Sequence, residues 1–186
     1  MNNHHPEVSA LNEILAQGEA LISSLNDHTY TAKVPEAFHA TLGSHYRHCL
    51  DHFRSLFDGI ERDLIDYDAR KRDPRIETDR HFALNQTREL RELSSRLLSL
   101  DLSLPISVRC RISYAQEATP SVHSTLGREI MFCVSHAIHH YALIGMMCAL
   151  LEVQLPQDFG GFGVAPSTVK HLEESAQQLP LATASA

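Results

Sequence analysis

Between Ile130 and Leu151 the chain carries no Asp, Glu, Lys or Arg. A helix that is apolar all round has two homes: a bilayer core, which takes about 20 residues to cross, or the centre of a folded protein. This stretch also holds His136, His139 and His140, with Ser135 beside them. Polar groups are costly in lipid, and no other segment resembles a span. We therefore read it as the central helix of a soluble protein with no membrane partner.

The rest of the chain agrees with a globular class. Its 186 residues suit one domain, 1–186, and hydrophobic residues make up 43% against 21% charged. Trp is absent, so Leu, Ile, Val, Ala and Met must carry the core. A net charge of −7, from 23 acidic and 16 basic residues, argues against nucleic acid as a partner. The four cysteines, Cys49, Cys110, Cys133 and Cys148, form no Cys-x-x-Cys and read as free thiols in a reducing compartment. The first 25 residues include Glu7, Glu13 and Glu19 and lack the pattern of a secretory signal, so a cytoplasmic location is expected.

The periodicity predicts an all-α, up-and-down four-helix bundle with a short β excursion before the last long helix. Val8, Leu11, Ile14, Leu15, Leu21, Ile22 and Leu25 recur at helical spacing over Pro6–Leu25. Pro35 is a good first residue for a second helix, with Phe38, Leu42, Cys49, Phe53, Leu56 and Ile60 on one stripe and an end near Arg62. Asp63 to Arg75 reads as a loop, and Glu77 to Leu100 as a third helix. Pro105 to Tyr114 alternates with period two and predicts a strand that pairs with 119–123. Ser124 or Thr125 can cap the last long helix, which runs to about Val153 before Pro156. Gly160, Gly161 and Gly163 read as a chain reversal, and Pro166-Ser167-Thr168 as the start of a short terminal helix. The ordered core is expected over about 7–172, with a disordered tail after 180.

Histidine is the compositional outlier. There are 13, against roughly four for ordinary usage at this length. His136 and His140 are four apart and share a helix face, so their imidazoles can point at one divalent ion. His139 could share that face or turn away. On the second helix His45, His48 and His52 fall within about 60° of one another on the helical wheel. Any of them could supply a third ligand. The wheel slightly favours His45, which lies nearest the apolar stripe. A lone His-x-x-x-His is a weak signal in a histidine-rich chain. Two clusters, one in a nearly charge-free helix, are a stronger one, because buried imidazoles need partners.

Two runs carry a family resemblance. Leu42-Gly43-Ser44-His45-Tyr46-Arg47-His48-Cys49 and His136-Ala137-Ile138-His139-His140-Tyr141 resemble the second-helix and last-helix motifs of the DinB/YfiT-like, or S-transferase-like, proteins. The resemblance spans about Leu11 to Val153. It implies a helical bundle, a frequent homodimer, and a divalent ion (Zn, Fe or Ni) held by His48, His136 and His140. It implies too a metal-dependent transfer of a small-molecule thiol to a second small substrate. Three histidines leave a metal position open, as in catalytic sites. The alternative is a closed, non-catalytic site completed by His45, His52 or His139. The chain departs from the family in Tyr141-Ala142, where Arg-Gly is usual, and in the stretch Asp66 to Arg72.

The remaining features have plainer readings. Arg70, Lys71, Arg72 and Arg75 could hold the carboxylates of a peptide-like thiol, but a solvated loop paired with Asp63, Asp66, Asp68 and Asp73 is preferred. Cys49 reads as core, Cys133 lies three before His136, and Met131, Met146 and Met147 read as core fillers.

Overall fold

A computed structural model describes residues 5–115, 119–156 and 161–177. The fold is mostly helical, with a small three-stranded sheet. The helices are α1 (Pro6–Ser24), α2 (Asp27–Thr31), α3 (Leu42–Ile60), α4 (Arg75–Thr78), α5 (Arg80–Ser94), α6 (Leu126–Leu150) and α7 (Pro166–Gln177). The strands are β1 (Leu64–Asp66), β2 (Pro105–Arg109) and β3 (Ser121–Thr125). The expected tail after 180 and the residue Gly160 lie outside the described residues.

The long helices meet where their apolar stripes predict. α3 packs on α6, α1 on both α5 and α6, and α3 also on α5. Val8, Leu11, Ile14, Leu15, Leu21 and Ile22 of α1 are all buried, as their spacing predicts. α6 is the one helix among the described residues long and apolar enough to cross a membrane, and a third of its apolar window is buried inside the fold.

The second helix starts later than Pro35. Pro35–Ala37 forms only a 3-10 turn, and Phe38 and His39 take positive φ of 56° and 58°, which breaks a helix. The chain doubles back, with Val34 bridged to Ala40. α3 begins after Thr41, which accepts from Ser44 N at 2.9 Å while Ser44 Oγ accepts from Thr41 N at 3.0 Å. That reciprocal pair satisfies two otherwise unpaired donors, and it outweighs the proline as a start signal. Phe38 consequently points to solvent, 97% exposed, rather than joining the stripe.

The third helix is interrupted at Asp79, whose carboxylate accepts from Phe82 N and caps α5. It ends in a 3-10 turn over Ser95–Ser99. β2 and β3 form the expected antiparallel hairpin, but β2 stops at Arg109, leaving Ile112 and Tyr114 exposed. β1 was not expected within the 63–75 loop. It is three residues long and pairs in parallel with β2, Ile65 opposite Val108. Met147 is buried, whereas Met131 and Met146 are exposed on the outer side of α6.

Two glycines are fixed by close approach. A Cβ on Gly18 of α1 would collide with the hydroxyl of Tyr141 and lie 2.8 Å from the Tyr46 ring. Gly163 has φ +70° and sits against the Ala142 backbone. Tyr141 is fully buried. Its hydroxyl donates to Ile14 O at 3.0 Å and its ring stacks on Phe162, so it ties α6 to α1 and to the segment after α6.

Candidate metal centre

α3 and α6 carry the two histidine clusters, and the α3–α6 contact brings them face to face. Nitrogens of His48, His136 and His140 all lie within 4.8 Å of one another. Ring centroids are 5.0 Å apart for His48–His136, 4.5 Å for His48–His140 and 4.6 Å for His136–His140. Two imidazole nitrogens on one tetrahedral zinc stand roughly 3.3 Å apart, given bonds of about 2.0–2.1 Å. The observed range, from 2.9 Å between His48 Nε2 and His136 Nε2 upward, brackets that spacing. This three-histidine group could hold a metal ion.

The other histidines separate by geometry. His139 is exposed, so of the two options open in sequence it takes the outward one. His45 Nδ1 lies 3.1 Å from His140 Nδ1. If His140 donates there, its Nε2 remains a lone-pair ligand atom and its ring is held in orientation, the usual arrangement behind a metal-ligating imidazole. His52 is buried and donates Nδ1–H to the carbonyl of His48 at 2.9 Å. Its ring stacks on Tyr67 at 5.4 Å and lies 4.1 Å from that of His136.

The loop after β1 completes the wall. Tyr67 is pinned by a hydrogen bond from its backbone N to Arg109 O, and its hydroxyl donates to the buried Glu129 at 2.8 Å. Glu129 also accepts from Ser124 Oγ at 2.7 Å. Three residues further on, Arg70 Nη1 lies 3.0 Å from His48 Nδ1. Arg70 therefore does not behave as a solvated loop residue, unlike Arg75, which pairs with Asp73 at 2.6 Å as expected. Sequence reasoning placed Arg70 in a charged loop, because nothing local shows that a three-residue strand turns that loop onto the histidines.

The protonation pattern follows from donor counting. A guanidinium has no acceptor, so Arg70 donates and His48 Nδ1 is the lone-pair nitrogen. The His48 proton is then on Nε2, pointing at His136 Nε2. For His48 to offer Nε2 to a cation, that proton has to leave Nε2, and a neutral ring would then carry it on Nδ1. Arg70 must then turn away. Its 3.4 Å approach to His52 Nδ1 brings two donors together and is no hydrogen bond.

Burial dominates the titration of the cluster. It pulls His48 down to about 2, helped by the neighbouring His52, His140, Arg70 and His136. His140 falls to about 3 through burial and then His136, and His52 to about 4 through burial, partly offset by its bond to the His48 carbonyl. His45 and His136 are lowered too, chiefly by burial. All five rings are thus neutral near pH 7, the form that ligates metal. The cysteines nearby are poor nucleophiles. Burial raises Cys49 and pushes Cys133 up to about 12.

No family model matches the chain, and no solved structure matches it. A curated protein described as FK506-binding protein 5, from Rhizopus delemar, is 31% identical over 111 residues. That stretch is 60% of this chain and 28% of the relative, so the chain spans less than a third of the length of the curated protein it matches.

Proposed function

We propose that this chain is a DinB/YfiT-like protein, with α1, α3, α5 and α6 as its four-helix bundle, that binds a divalent ion through His48, His136 and His140. The observation that carries the reading is the convergence of these three nitrogens within 4.8 Å, from two helices whose facing residues His48 and His136 are 88 positions apart in the chain. Metal identity is left to the cell, since imidazoles accept zinc, iron or nickel. When bound, such an ion would supply positive charge that acidifies a thiol brought to its open side.

The reaction class we assign is transfer of a small-molecule thiol to a second small substrate, in the cytoplasm, by a homodimer. An open site is favoured over a closed one by what the remaining histidines do. His139 is exposed, His45 is engaged with His140, and His52 is not among the three histidines whose nitrogens lie within 4.8 Å of one another. The chain's own residues supply the rest: Tyr67 and Phe132 wall the cluster with aromatic rings, and His45 orients His140. The FK506 in the relative's name is not carried over, because the shared stretch is 28% of that protein.

The test is elemental analysis of protein purified without a histidine tag. Stoichiometric divalent metal is expected in the wild type, and its loss in the His48→Ala, His136→Ala, His140→Ala triple variant. A triple variant that keeps its metal would overturn the assigned ligands. Metal in the wild type with no exchangeable coordination position would favour the non-catalytic, closed-site alternative.

A further inference from the structure

The loop that turns Arg70 onto the histidines also makes it one wall of a cleft of about 410 Å³, between α3, the loop from Ala69 into the start of α4, and α5. Small-molecule sites begin at about 300 Å³, so the space is adequate for a ligand. The charges in its wall do not cancel. Arg54 is taken by Glu89 at 3.0 Å and Arg75 by Asp73 at 2.6 Å. Asp51 pairs at 2.8 Å with Arg47, which lies outside the wall and also holds Glu77 at 2.8 Å, so Asp51 keeps part of its charge beside Arg70. What remains is Arg62, Arg70 and Lys71 against Asp58 and the shared Asp51, a small positive excess, and Arg62, Arg70, Lys71 and Asp58 make no ion pair within 4.0 Å among the described residues. Arg70 is further marked by its Nε, which is buried with no hydrogen-bond partner. A buried guanidinium N–H left unpaired is costly, and its forked donors match the oxygens of a carboxylate or a phosphate.

We propose that this cleft binds a small molecule through an oxyanion, with Arg70 as the anchoring residue and Lys71 and Arg62 adding charge at its mouth. Arg70 lines the cleft and touches His48, so an anion bound there extends its effect through Arg70 to the three-histidine group, whose histidines do not themselves line the cleft. That extension rests on the metal reading above; the anion site itself rests only on the cleft and its cations. Arg70 then has a partner to turn to when His48 takes up a cation.

The experiment is isothermal titration calorimetry on tag-free protein with succinate, glycerol phosphate and neutral succinamide, each on zinc-loaded and on chelator-dialysed samples. One or both anions should bind saturably to the chelator-dialysed protein, and succinamide should not. The tighter of the two anions identifies carboxylate or phosphate as the natural group. Arg70→Met should weaken binding about tenfold or more, as loss of a charge-assisted hydrogen bond predicts. The Arg62→Met, Lys71→Met double variant should weaken it less. Arg109→Met, whose side chain pairs with Asp66 outside the cleft, should bind as wild type. The proposal is overturned if neither anion binds saturably, if succinamide binds equally, or if folded Arg70→Met binds as wild type. Should Arg70→Met fail to fold, the double variant decides, and unchanged affinity there overturns the site. Anion binding without metal uptake would remove the metal reading and leave the cleft; metal uptake without anion binding would do the reverse.

Discussion

His45 and His48 lie three residues apart on α3, and their roles divide according to what each ring nitrogen meets. His48 Nε2 meets His136 Nε2, while His45 Nδ1 meets His140 Nδ1. The helical wheel, which slightly favours His45, measures only angle around one helix. The choice depends on how high along α3 the partner helix crosses, and that is a tertiary quantity. A residue that orients a ligand has a different signature from the ligand itself. His45→Ala is expected to keep metal but to bind it about tenfold to a hundredfold more weakly, while His48→Ala loses it. Competition with a chromophoric chelator measures both. Equal loss in the two variants would make His45 a ligand instead.

At the scale of elements, the position of the site depends on how closely α1, α3 and α6 approach. Gly18 lets the Tyr46 and Tyr141 rings lie against α1. Thr87 gives its only hydroxyl proton to Ala83 O, so Tyr46 is the donor in its 2.7 Å bond to Thr87. Tyr141 likewise donates to Ile14. Both rings are therefore locked, and neither can retreat from a methyl group added at Gly18. Gly18→Ala should gain up to about 1 kcal/mol in helix propensity and lose more through overpacking, which costs about 1–3 kcal/mol. A lower thermal midpoint by circular dichroism is the expected outcome, and a raised one would mean that the helices separate without cost. The sheet acts at this scale too. β1 has three residues and no period to detect, yet its pairing with β2 delivers Tyr67 and Arg70 to the histidine cluster.

Across the whole molecule, a cluster of neutral, half-buried imidazoles ties stability to pH. The folded-state values of His52, His140 and His48, about 4, 3 and 2, all lie below the ordinary 6.5. Well above pH 6.5 folded and unfolded chains both carry neutral rings, and the cluster adds no pH dependence to stability. Below 6.5 the unfolded chain takes up protons that the folded one refuses, so stability falls as pH drops toward these lower values. Asp51, raised by burial, has the opposite sign, so a His52→Gln variant is the comparison that isolates the imidazoles. Urea unfolding of chelator-dialysed protein should show a lower midpoint at pH 5 than at pH 7, and a smaller drop in His52→Gln. A midpoint unchanged between the two pH values would contradict the neutral cluster.

Much of this was legible in the order of residues. The apolar periodicity of α1, the hairpin of β2 and β3, the Thr125 cap and the charge-free run of α6 are local patterns, written in residues close together in the chain. The pairing of His136 with His140 is local as well, since four residues make one turn of helix. Other features needed the chain to close on itself. The start of α3 depended on two residues in the left-handed region, the fate of Phe38 followed from that start, and Met131 and Met146 are exposed among the described residues. The division between ligand and orienting histidine on α3, and the arrival of Arg70 beside them, were likewise decided by packing. Periodicity says which face a side chain occupies, but only contacts between distant segments say what stands opposite it.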